Sequence, residues 1–222
     1  VVETDNYILV LDTRGGLGKS LKLKHFQHTK PRLTLSTWFP FLETILGPDF
    51  KDSLNDDNRV EMLAGRLKGF RPFTIELEDF PGANKLLAKA VYSPDQDGLM
   101  LLDSGESGML RMTSPVVKGL QLSKTFRFET DNYIIGYKVE VINRSENAQP
   151  LKVRHYFGEQ RVADSKLFQQ IAHEGPVYFM EESLETISSD DVNAEEWEVS
   201  KNVQWLGVED QYFINATTAL TP

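Results

Sequence analysis

The glycine-rich run Thr13-Arg14-Gly15-Gly16-Leu17-Gly18-Lys19-Ser20 follows directly on the apolar segment Tyr7-Ile8-Leu9-Val10-Leu11. A strand, a glycine turn and a lysine together can cradle a phosphate, because backbone N–H groups and an ammonium converge there. Such a loop has to open a helix, whose N-terminus supplies the unpaired N–H groups. Ser20-Leu21-Lys22-Leu23-Lys24 instead alternates polar and apolar residues, which predicts a half-buried strand. The standard pattern also needs a glycine where Thr13 stands, and its variant form a lysine where Arg14 stands. The stretch therefore reads as a corner between two strands, its glycines supplying positive φ.

Other chemistry-bearing residues form no recognisable constellation. His25 and His28 fall on opposite faces of a strand, and His155 lies on the apolar side of another, as a hydrogen-bonded core histidine does. His173 stands alone. The acidic run Glu181, Glu182, Glu185, Asp190, Asp191, Glu195, Glu196 and Glu198 could supply a glycosidase-like acid pair. Its Ser and Asn neighbours point to a solvated loop. The polar run Asp52 to Asn58 lacks the glycine an EF-type calcium loop requires, and Ser104, Ser107 and Ser114 lack a nucleophile-elbow sequence. No catalytic, cofactor-binding or metal-binding residues are therefore assigned, and the chain is expected not to be an enzyme.

The bulk numbers narrow the partners. A net charge of -9 with a pI near 5.0 argues against nucleic acid and against an anionic membrane surface. With no cysteine, disulfides and thiolate chemistry are excluded. No apolar run reaches the length of a membrane span, and the chain is expected to be an excised piece of something longer.

The elements that must position any site are mainly strands. Leu120, Leu122, Phe126 and Phe128 share one face of a strand, and Tyr133, Ile135, Tyr137, Val139 and Val141 share one face of the next, which makes a long hairpin. A third strand, with Leu151, Val153, His155 and Phe157 inward, is expected to complete a meander. Shorter strands are predicted at Phe73 to Leu77, Leu86 to Tyr92, Leu99 to Leu102 and Met109 to Met112, then at Val177 to Met180, Leu184 to Ile187, Val203 to Leu206 and Tyr212 to Thr217. Trp38 to Leu46, Leu54 to Leu67 and Ala163 to Ala172 carry a helical period. The expected class is an antiparallel all-β sandwich, residues 1–222 forming one domain. Glu3-Thr4-Asp5-Asn6-Tyr7-Ile8 recurs as Glu129-Thr130-Asp131-Asn132-Tyr133-Ile134, which reads as one polar turn used twice.

Several of these segments together resemble a known family. Glu3-Thr4-Asp5, then Asp12-Thr13-Arg14-Gly15-Gly16, resembles the opening of the large periplasmic domain of YidC, the bacterial membrane protein insertase. Lys124-Thr125-Phe126-Arg127-Phe128, the Asn143 turn, and Trp205 to Phe213 with Ala216 and Pro222 resemble its centre and close. The resemblance implies a mutarotase-like β-supersandwich in the periplasm, part of an inner-membrane protein that inserts and helps fold other membrane proteins. It implies docking on SecD, SecF and the Sec translocon through the segment near Val153 to Asp190, with nascent membrane proteins handled elsewhere in the parent. Phe157, Phe168, Tyr178 and Phe179 are the aromatic candidates for partner contact in that segment. A ligand held in a cleft, without a cofactor, is a further expectation; the alternative reading is a mutarotase-like carbohydrate-binding domain or sugar enzyme.

Overall fold

The computed structural model describes residues 1–27, 59–63, 71–148, 150–156, 175–187, 202–209 and 212–218. Within them the chain is all-β apart from one short helix. The first sheet has the order β4-β3-β2-β1-β7, from β1 (Val2–Thr4), β2 (Tyr7–Asp12), β3 (Leu17–Gln27), β4 (Arg59–Glu61) and β7 (Leu99–Leu101). The second has the order β10-β9-β8-β6, from β6 (Ser93–Pro94), β8 (Ser107–Thr113), β9 (Leu120–Glu129) and β10 (Ile135–Asn143). A ribbon joins β5 (Thr74–Leu77) to β11 (Val153–Tyr156), and a C-terminal sheet β13-β12-β14-β15 is built from β12 (Gly175–Met180), β13 (Ser183–Thr186), β14 (Val203–Glu209) and β15 (Ile214–Thr218). Every pairing is antiparallel except β1 with β7.

Period-2 patterning explains the core. Val2, Tyr7 and Leu9 face inward from the first sheet, and Leu110, Met112, Leu120, Leu122, Phe126 and Phe128 from the second. The predicted hairpin is present, with Phe126 opposite Tyr137 and Leu122 opposite Val141, but its second strand starts at Ile135, so Tyr133, expected on the inward face, stands before it and is 47% exposed. The predicted strands at Thr74–Leu77, Leu99–Leu101 and Ser107–Thr113 and in the C-terminal sheet are found within a few residues of their expected bounds.

Three further expectations need correction. The segment Leu86 to Tyr92 is not a strand: helix α1 (Pro81–Leu87) occupies its start, and only Val91 makes an isolated bridge, to Arg14. Pro81 sits at the first helical positions, where its missing N–H costs nothing, and Ala83 and Leu87, four apart, bury one face. Asn84 ties this helix to β5, donating to the Leu77 carbonyl and accepting from the Leu77 N–H, both at 2.9 Å. Within the helical period of Leu54 to Leu67, residues Arg59–Glu61 form strand β4, held by the Glu61 carboxylate on the Leu21 N–H at 2.6 Å. Trp38 to Leu46 and Ala163 to Ala172 lie outside the described residues.

The meander is the third correction. β11 pairs with β5, not with β10, and Leu151, Val153 and His155 are exposed. Charge across the ribbon accounts for this choice: Arg154 meets Glu78 at 2.9 Å, and the Tyr156 hydroxyl donates to Glu76 at 2.6 Å.

The β12–β13 turn carries a testable strain. Met180 pairs with Ser183, leaving Glu181 and Glu182 as a two-residue loop at φ 51° and 69°. Both positions of such a primed turn favour Asn and Gly. Glu181→Asn with Glu182→Gly is expected to raise stability by about 1 kcal/mol in urea unfolding.

Candidate functional site

The glycine corner, β5, β11 and α1 border a cleft of about 1040 Å³. The corner itself is not a phosphate site. Its N–H groups are spent on backbone: Gly15 N–H donates to the Ala90 carbonyl at 2.8 Å and Gly18 N–H to that of Pro72 at 3.0 Å. The following residues run on as strand β3, so no helix N-terminus faces the turn. Ser20 Oγ is engaged by Glu61, and Lys19 is exposed. Gly15 and Gly16 adopt φ 78° and 60°. A Cβ on Gly15 would stand 2.9 Å from the Ala88 carbonyl oxygen. Gly15→Ala is therefore expected to cost about 1–3 kcal/mol, read as a lowered urea midpoint.

A lysine holds this corner from inside. Lys124, on the inward face of β9, is 1% exposed, and its Nζ donates to the carbonyls of Gly15 at 2.8 Å, Gly16 at 3.1 Å and Phe73 at 2.8 Å. The ammonium also lies 5.4 Å from the centre of the Tyr92 ring. Burial pulls its pKa down to about 7, against three carbonyl acceptors that favour the charged form. Gly15 and Gly16 join cleft-lining Arg14 to Leu17, and Phe73 precedes Thr74 and Ile75 on the opposite wall. One side chain thus ties two cleft walls together.

Charge in the cleft is balanced. Arg14, Arg71, Lys85 and Arg154 face Asp12, Glu76, Glu78 and Asp79, so no single-sign field gathers an anion. Arg71 pairs with Asp12 at 3.0 Å. Leu17, Ile75, Pro81 and Val91 add apolar surface between these charges.

The histidine and serine candidates do not assemble a catalytic group. His155 is on the surface rather than in the core, its ring 5.5 Å from that of Tyr137. Partial burial and the nearby Lys124 charge lower its pKa, and no carboxylate hydrogen-bonds it among the described residues. Ser114 Oγ binds the Pro115 carbonyl and the Leu122 N–H, while Ser104 binds Asp131. His28, His173 and the acidic positions from 190 to 198 lie outside the described residues. Among the described residues no group of three or more His, Asp or Glu could hold a metal ion, and no helix is long and apolar enough to cross a membrane.

Of the four aromatic candidates, Phe157 and Phe168 lie outside the described residues. Tyr178 and Phe179 are neighbours on β12 and so leave opposite faces of the sheet. Phe179 stacks on Trp205, ring centres 6.1 Å apart and planes within 5°. Tyr178 lies beside Leu206, which is 44% exposed, and Glu185 on the flanking strands. Lys124 and Tyr92, both buried, were not singled out from sequence. Lys124 carried a signal: it falls in phase with Leu122 and Phe126, on the face that has to be apolar.

Comparison with known proteins gives the family. The model of the YidC periplasmic domain matches residues 48–220. The membrane protein insertase YidC of Geotalea uraniireducens (strain Rf4) is 25% identical over 216 residues, 97% of this chain and 35% of that protein. Its counterpart in Geobacter sp. (strain M21) is 25% identical over 218 residues, 98% of this chain and 35% of that protein. That of Pelobacter propionicus (strain DSM 2379 / NBRC 103807 / OttBd1) is 27% identical over 221 residues, 97% of this chain and 34% of that protein. The chain spans about a third of the length of these curated relatives. With the all-β sheets, the glycine corner and the closing Trp205 strand already in place, these matches show that the chain belongs to the YidC periplasmic domain family.

Proposed function

We propose that this chain is a non-catalytic docking module on the periplasmic side of the inner membrane, carried by an insertase that inserts and helps fold membrane proteins. Its partners are SecD and SecF of the Sec translocon, met through the C-terminal sheet. The observation that carries this reading is the Tyr178–Leu206 pair, side by side on adjacent strands with Leu206 44% exposed. An aromatic ring next to an aliphatic side chain on a rigid sheet is the composition of an interface anchor. Phe179 acts from behind, its stack on Trp205 fixing β12 against β14. Phe157 and Phe168, outside the described residues, are proposed as further contact residues for the same partners. The balanced, partly apolar cleft bordered by the glycine corner suits an extended polypeptide better than a nucleotide or an anion.

The test is retention of SecD and SecF by the immobilised 222-residue chain. Wild type is expected to retain them, and Tyr178→Ser with Leu206→Ser to weaken retention about tenfold, as loss of an interface anchor does. No retention by wild type would end the docking reading.

A further inference from the structure

The repeated Glu-Thr-Asp-Asn-Tyr-Ile turn has a role that the docking reading leaves unused. Its two copies lie against each other: the Asp131 N–H donates to Asp5 Oδ2 at 3.3 Å, Asn6 Nδ2 to the Asn132 carbonyl at 3.4 Å, and the Tyr7 and Tyr133 rings are 6.4 Å apart. A loop after β7, residues 102–106, joins them. Thr130 Oγ1 donates to the Asp103 carbonyl at 3.0 Å, and Asp131 Oδ2 accepts from Ser104 Oγ at 2.9 Å and Gly105 N–H at 2.8 Å. Glu106 Oε2 accepts from the Leu102 and Asp103 N–H groups at 2.9 and 3.0 Å. Asp5, Asp103, Glu106 and Asp131 therefore gather at one end of the molecule, and none makes an ion pair among the described residues.

Apolar surface lies beside these carboxylates. Ile134 is 71% exposed, Leu102 48%, Tyr133 47% and Phe26 42%, with the Tyr133 and Phe26 rings 6.3 Å apart. Neighbouring exposed side chains of this size mark contact surfaces rather than scattered surface residues. The acidic rim, without an ion pair among the described residues, selects the occupant: it repels an anionic lipid surface and attracts a cation.

From this juxtaposition we propose that the paired turns form a second docking surface, distinct from the Tyr178–Leu206 face, for a polypeptide segment that presents lysine or arginine beside an apolar side chain. The charge is met by Asp5 and Asp131, and the apolar neighbour by Ile134, Tyr133 and Leu102. This inference is independent of whether SecD or SecF binds the other sheet.

Titrating the isotopically labelled full chain with a short peptide of alternating lysine and leucine tests it by NMR. Shift changes are expected to centre on Phe26, Leu102, Tyr133 and Ile134, and a matched glutamate–leucine peptide is expected to leave them unmoved. Tyr133→Ser with Ile134→Ser should weaken binding about tenfold. Asp5→Asn with Asp131→Asn, which keeps the turn acceptors, should weaken it about fivefold at low salt and less at high salt. The spectrum of each variant reports its fold. Shift changes centred elsewhere, equal binding of the acidic peptide, or unchanged affinity in both variants would overturn the proposal. So would binding of phosphatidylcholine vesicles through the same residues in place of the peptide.

Discussion

Phe126→Ala is expected to cost about 3–5 kcal/mol, the largest single loss in this chain. The ring is 0% exposed and packs 5.1 Å from both Phe73 and Tyr137, and 6.4 Å from Phe128. Truncation forfeits the transfer free energy and leaves a cavity between two rigid strands that cannot collapse into it. Tyr137 would lose its packing, and with it the hydroxyl's hold on the Phe73 carbonyl at 3.3 Å. The measurement is thermal unfolding, where a loss of this size lowers Tm by roughly 10 °C for a chain of this length. A drop of a degree or two would mean that the aromatic cluster is not the centre of the core.

Lys124→Met is the second large effect, and it depends on pH. At pH 9.5 the substitution is expected to destabilise by about 2 kcal/mol net, because the Gly15 and Gly16 carbonyls lose their donor at roughly 1–3 kcal/mol each. The Phe73 carbonyl keeps the Tyr137 hydroxyl. Against this stands relief from burying a charge. A pKa lowered from 10.5 to about 7 represents a penalty on the order of 5 kcal/mol when the lysine is fully charged. The unfolded chain binds the proton more tightly than the folded one, so wild-type stability rises as pH climbs from about 7 towards 10.5. The cost of Lys124→Met should grow across the same window. Burial raises the pKa values of Tyr7, Tyr92 and Tyr137, whose contribution is lost as pH rises above 10, so measurements up to about pH 9.5 isolate the lysine. Urea unfolding of both proteins from pH 6 to 9.5 checks this. A constant difference would show that Lys124 does not titrate in that range.

Much of this was legible in the chain because strand periodicity is strong. Leu120, Leu122, Phe126 and Phe128 fixed the hairpin face, and Ser20 to Lys24 ruled out the helix a phosphate loop needs. Helix α1 was missed because its apolar pair is short and the Leu86-Leu87 doublet mimics a buried strand; Pro81 at the helix start was the available signal. The partner of β11 depends on Glu76 and Glu78, which lie about eighty residues away in sequence, and local pattern cannot weigh such a pairing against an adjacent strand. Of the partner-contact residues, Tyr178 and Phe179 were legible as strand aromatics. Which face each takes follows from alternation, but which face is covered depends on the stack of Phe179 on Trp205. The contact between the two repeated turns could not be read, since the repeat shows that they are alike, not that they touch.

The proposed docking of the C-terminal sheet on Sec subunits is tested most directly by site-specific photocrosslinking from position 178 of the full-length protein in its membrane. Adducts with SecD or SecF are expected from position 178 and none from Lys19, which lies exposed beside the glycine corner. Absence of Sec adducts from position 178, or equal yields from both positions, would contradict it.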